Sequence, residues 1–211
     1  ARVVDVIGRH LVPGLIDGMA YHDAAHDPLY TTAGVTLTVD HGNDLARIFD
    51  ARAGARLPGE GGTGARWAGP ALWIAGAVFD GLPPSTNEAL ILRHEHDAEE
   101  LLGTLLEEGI DFVSMQAGVP EPAWREMLAL ARAADRQVWG PLPRGISLEM
   151  ALEAGVDGLL FLDALLPAGQ RWDEVDPEAF APVVERVAAS GVRIVPLLSG
   201  NARLFTDPGD D

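Results

Sequence analysis

Three groups of side chains in this 211-residue chain have types and spacings that suit metal chemistry. His22, Asp23 and His26 form the first. The two imidazoles stand at i, i+4, a spacing that on a helix sets both on one side as a metal-binding pair. Asp40 and His41 form the second group, at the end of a β-branched run. If both groups lie at the same ends of parallel strands, His22, His26, Asp40 and His41 could hold a zinc ion there. The third group is His94-Glu95-His96-Asp97. Each group also has a structural alternative. His-Asp pairs near strand ends serve as caps and loop hydrogen bonds, and His41-Gly42-Asn43 has the composition of a turn. For the third group the structural reading is the stronger one: a solvated helix start with Asp97 as cap and Glu99 and Glu100 complementing the helix dipole.

Composition removes other chemistries. There is no cysteine and no lysine, so thiolate nucleophiles, cysteine-held zinc, Schiff bases and a carbamylated-lysine bridge are all excluded. No serine stands in a Gly-x-Ser-x-Gly elbow, and the glycines at 59–64 lack the lysine of a phosphate-binding loop. The formal net charge of −17 argues against nucleic acid and anionic membrane as partners, because both select a basic face. With 47% hydrophobic residues the chain can bury a core, yet no apolar run reaches the length of a membrane span. No signal-peptide pattern is present, which leaves the cytoplasm as the default expectation.

The elements that must position these groups follow from pattern. Leu11–Ile16 leads into a first strand, Asp27–Thr32 is a short helix or turn, and Gly34–Gly42 is a second strand. Asn43 is placed to cap a helix over Asp44–Ala53, followed by the Gly/Pro-rich loop Gly54–Gly64. Phe79–Ser85 reads as a long loop. Asp97 is placed to cap the helix Ala98–Glu108, whose leucines 101, 102, 105 and 106 make one stripe ended by Gly109. Strands are expected at Ile110–Gln116, Arg136–Pro143, Val156–Leu166 and Val192–Leu198. Helices are expected at Pro122–Ala134, Leu148–Ala154 and Glu178–Ser190. Strands alternating with helices in this way indicate a parallel α/β architecture. The five tryptophans, Trp67, Trp73, Trp124, Trp139 and Trp172, are spread along the chain and read mostly as packing residues.

The run Gly8-Arg-His-Leu-Val-Pro-Gly-Leu-Ile-Asp17 resembles the entry segment of the amidohydrolase superfamily, in its imidazolonepropionase and prolidase-like branch. Gly34-Val-Thr-Leu-Thr-Val-Asp40, Gly69-Pro-Ala-Leu and Gly155-Val-Asp157 are similar to further segments of that family. The resemblance implies a partial TIM-type (β/α) barrel of about six βα units at residues 11–211, preceded at residues 1–10 by a remnant strand of the small N-terminal sandwich. It also implies where metal ligands should stand, and those positions are substituted. The His-x-His pair is replaced by Met19 and Tyr21, the bridging lysine by Ser114, and two further histidines by Pro141 and Phe161. With Trp139 these residues are expected to line an apolar barrel mouth, and no metal is expected there. Three functions follow from the resemblance. The chain is a structural or regulatory subunit that has lost metal-dependent activity, a hydrolase of cyclic amide or dipeptide C–N bonds with its site rebuilt from His22, His26, Asp40 and His41, or a protein that binds a small molecule in the mouth. An incomplete barrel implies completion by a second copy, a related amidohydrolase subunit, or residues outside this sequence.

Overall fold

The computed structural model describes residues 6–54, 69–167 and 170–197. The remnant strand before Val6, the loop after Gly54, Trp67 and everything beyond Leu197 lie outside them. Among these residues nine strands, all paired in parallel, form two ladders. The first holds β1 (Leu15–Ala20), β2 (Val35–Asp40) and β3 (Ala71–Ile74) in that order. The second holds β4 (Val78–Asp80), β5 (Leu90–Ile91), β6 (Phe112–Met115), β7 (Gln137–Gly140), β8 (Gly158–Leu160) and β9 (Arg193–Val195), in the order β5-β4-β6-β7-β8-β9. Six helices connect them: α1 (Asp27–Thr32), α2 (Leu45–Gly54), α3 (His96–Glu108), α4 (Glu121–Ala133), α5 (Leu148–Ala154) and α6 (Pro177–Ser190).

The strand Ala71–Ile74, continued by Val78–Asp80, is absent from the sequence reading, which placed a loop from Phe79. Its signal is broken at Gly76, whose φ of 75° turns the backbone out of the extended region that any side chain would favour. The long strand expected over Val156–Leu166 is also corrected. It ends at Leu160, because Phe161 takes φ 68° and a 3₁₀ turn follows at Leu162–Leu165.

Strand alternation sorts the apolar residues into two layers. Val113 and Met115 of β6 face helices α3 and α4, joining Leu102, Leu105, Trp124 and Met127 in the main core. Phe112 faces the other way, into a second cluster with Val39, Ala75 and Trp139. All four residues of β6 are buried, as expected of a parallel strand covered on both sides. Helix α4 buries Ala123, Trp124, Met127, Leu128 and Ala131, one stripe of the cylinder, whereas α6 has no buried residue. On the inner side the sheets curve far enough that a Cβ at Gly18 of β1 would lie 3.3 Å from the Val195 side chain of β9.

A repeated junction links helix to strand. Gly109 and Gly155 end α3 and α5 with φ of 86° and 75°, and Ile110 and Val156 plug the core behind them. Asp111 and Asp157 then each turn a carboxylate back to the previous strand, accepting from the Ile74 N–H at 2.9 Å and the Val138 N–H at 2.8 Å. Asp111 also receives the Arg52 guanidinium of α2 at 2.9 Å. Replacing Asp111 by alanine leaves the Ile74 N–H and Arg52 without this acceptor. Urea unfolding is expected to show a loss of about 2 kcal/mol.

Candidate functional site

The register of β1 against β2 pairs Ala20 with Asp40, so the two strands end side by side. Beyond them lie Tyr21 and His22 on one side and His41, Gly42 and Asn43 on the other. Asp40 is fully buried and acts as a hub. Its Oδ2 accepts the His22 N–H at 2.6 Å and the Asn43 amide at 3.1 Å, and its Oδ1 accepts the Gly42 N–H at 3.0 Å. The Asn43 amide also donates to the His22 carbonyl at 2.9 Å. Asn43 therefore ties the strand ends together, and the cap of α2 falls to Asp44, whose Oδ1 accepts the Arg47 N–H at 2.9 Å. A buried carboxylate that accepts three hydrogen bonds has a structural task in holding the strand ends together.

His22 and His26 do not share a helix face. His22 is buried, with its Nε2 3.0 Å from Oδ1 of the equally buried Asp27, whereas His26 ends the 3₁₀ turn Ala24–His26 and is exposed. Asp23 caps that turn, accepting the Ala25 N–H at 3.0 Å, and this bond holds its carboxyl below the ordinary carboxylate range. Asp27 was not singled out in the sequence. The signal that could have found it is its place five residues after His22, at the first turn of the helix starting with Asp-Pro.

His41 is buried among rings, edge-on to Phe112 at 5.1 Å and to Trp139 at 6.5 Å. Its Nε2 lies 3.0 Å from the Gly18 carbonyl. A carbonyl only accepts, so the proton is assigned to Nε2 and Nδ1 is the acceptor. The Ser114 hydroxyl faces that Nδ1 at 3.4 Å. Burial pushes the His41 pKa down to about 4, against a smaller upward pull from the Gly18 carbonyl, so the ring is neutral at pH 7. A neutral imidazole beside a hydroxyl could in principle take its proton, but both residues are about 1% exposed. The arrangement locks β6 to β2 and β1.

The expected mouth residues divide among several environments. Met19 is half-buried on β1. Tyr21 borders a polar cavity of about 680 Å³ with Asn43, Asp44, Arg47 and Glu88, and its hydroxyl is pushed up first by burial and then by Asp40. Trp139 is packed against Trp73 and Phe112 at 6.0 and 6.5 Å. Pro141 and Phe161 line a separate, apolar cavity of about 550 Å³. His94, Glu95 and His96 are exposed, and Asp97 lies inside the first turn of α3 with its Oδ2 accepting the Arg93 and His94 N–H groups at 2.8 and 3.0 Å. Those bonds hold its carboxyl low. Among the described residues no three histidine or carboxylate side chains converge as a metal site would require.

No family model and no curated protein matches the sequence. Solved structures do. A bottromycin amidohydrolase superposes with a TM-score of 0.61 at 19% identity, over 84% of this chain and 37% of its own. A Xaa-Pro dipeptidase with bound methionine in its active site gives 0.61 at 14%, over 91% and 55%. The ochratoxinase of A. niger gives 0.64 at 13%, over 92% and 54%. The chain thus spans between about two-fifths and just over half of the length of these structures. At such identities a likeness speaks for the fold, and the chain has the α/β fold of the amidohydrolases and prolidases.

Proposed function

We propose that this chain is an amidohydrolase-like domain without metal-dependent hydrolysis, serving as a structural or regulatory subunit. The observation that carries the reading is the direction in which Asp40 and His41 face. The carboxylate accepts from two backbone N–H groups and an amide, and the imidazole spends its Nε2 proton on the Gly18 carbonyl. The residues present do not fit a catalytic metal, which needs about three convergent protein ligands and an open position. Met19 and Tyr21 supply no imidazole from β1.

In this reading the two ladders are parts of one incomplete barrel, with β3 and β4 as halves of a single strand. Leaving aside the two-residue β5 beside β4, seven barrel strands among the described residues then take the place of the six expected from the sequence. A second copy, a related amidohydrolase subunit or residues outside this sequence complete it. Support comes from the edge strand β1 and the segment before it, where Ile7, Leu11, Val12, Leu15 and Ile16 are all more than 60% exposed. Solvent-facing apolar residues on a sheet edge favour association.

Elemental analysis of the purified chain, with native mass spectrometry, tests both halves. The expected result is far less than one zinc or iron per chain and a multimeric mass. One tightly held metal per chain would overturn the non-catalytic reading, and a strictly monomeric mass with the edge still exposed would overturn the completion by a second copy.

A further inference from the structure

Two positions where the resemblance calls for a metal-binding histidine, Pro141 after β7 and Phe161 after β8, border the same cavity. It lies between those strand ends, α5, the 3₁₀ turn Leu162–Leu165 and α6, and its volume of about 550 Å³ is within the range of small-molecule sites. Its walls are apolar, with Leu142, Ile146, Leu148, Leu165 and Val183 prominent. Among the described residues the polar side chains that reach it are Ser147, Glu149 and Asp163, all exposed at its opening, and no arginine or histidine lines it. Ser147 is committed to capping α5, accepting the Met150 N–H at 3.2 Å. Glu149 is committed to Arg186 at 2.8 Å. Asp163 accepts one N–H, from Trp172 at 2.9 Å, and among the described residues has no cation within ion-pair distance. On the rim, Phe161 is held at φ 68°, a backbone strain that bulky residues avoid and that folds retain at functional positions.

We infer that this cavity binds a small hydrophobic cation, an aromatic or branched alkyl amine, with its body against the leucine wall and its ammonium facing Asp163. The charge of the lining selects the class. An anion would meet the carboxylate of Asp163, with the Arg186 guanidinium already engaged by Glu149, inside a chain of net charge −17. A neutral apolar molecule would fill the volume but leave Asp163 without a cation. The inference stands apart from the question of partners, since it uses neither β1 nor β2.

The test is calorimetric titration of the full chain with 4-phenylbutylamine, 4-phenylbutanol and 4-phenylbutyrate, which differ in charge at one end. The amine is expected to bind with a Kd on the order of 0.1–1 mM, as suits a ligand of about eleven heavy atoms. The butyrate should bind about fivefold more weakly or worse. Asp163→Asn keeps the acceptor for Trp172 and should weaken the amine about threefold to fivefold while leaving the alcohol unchanged. Ala164→Phe, or Val183→Phe should the first fail to fold by circular dichroism, fills the cavity and should abolish binding of amine and alcohol together. Equal affinity for amine and butyrate, amine binding unaltered by the filling substitutions, or no amine binding at millimolar concentration would each overturn the inference.

Discussion

Asp40→Ala is expected to lower the melting temperature by about 10 °C or more, a loss of about 3–5 kcal/mol in a chain of this size. The substitution removes a fully buried carboxylate on which the His22 N–H, the Gly42 N–H and the Asn43 amide all depend. Each stranded donor costs about 1–3 kcal/mol, reduced where water enters the space left behind. Asn43→Ala, which removes one of the donors and keeps the acceptor, should cost only about 1 kcal/mol. Differential scanning calorimetry of the two variants beside the parent separates the hub from its spoke. A loss below about 1 kcal/mol for Asp40→Ala would mean that Asp40 is not the tie between strand ends. The same instrument distinguishes a metal role, because added zinc should then raise the melting temperature of the parent and leave Asp40→Ala unmoved.

The second large effect is a loss of stability in mild acid through His41. Its folded pKa is depressed to about 4 from an unfolded value of 6.5. Between those limits the unfolded chain takes up a proton that the folded chain refuses. Stability therefore falls as pH drops through this window, by about 1.4 kcal/mol per unit and about 3 kcal/mol in all, and His41 contributes no further loss below pH 4. Urea unfolding at pH 7, 5.5 and 4.5 measures the slope. His41→Gln should flatten it, since that side chain does not titrate. The acidic groups whose carboxyls are held low, such as Asp23 and Asp97, titrate alike in both proteins, so the difference between parent and variant isolates the imidazole. Equal slopes in the two proteins would show that the ring is hydrated.

How much of this was legible depends on the distance over which each signal acts. Ser147 and Asp176 cap α5 and α6 as their local sequences demand, and Gly109, Gly155 and Gly191 end helices in the left-handed conformation. The Gly-x-Asp runs at 109–111 and 155–157 could be read as punctuation, but not as carboxylates reaching back to the preceding strand. That role depends on pairing between residues 37 and 19 positions apart. The candidate site suffered most. His22, Asp40 and His41 were correctly placed at neighbouring strand ends, yet their partners are backbone groups, and a carbonyl such as that of Gly18 leaves no trace in a residue type. Asn43 illustrates the same limit. Its composition signal suited a cap, and the buried Asp40 carboxylate three residues before it took its amide instead.

The contrast between α4, with five buried residues, and α6, with none, has a dynamic meaning. Opening an amide requires breaking the contacts that cover it, so its free energy scales with local burial. Hydrogen exchange is therefore expected to be slowest around β6 and α4 and faster along α6, whose Val183 and Val187 are only partly buried where they meet the core. The apolar cavity beside Phe161 lies between these two regimes, with Val183 of α6 on one wall and the end of β8 on the other.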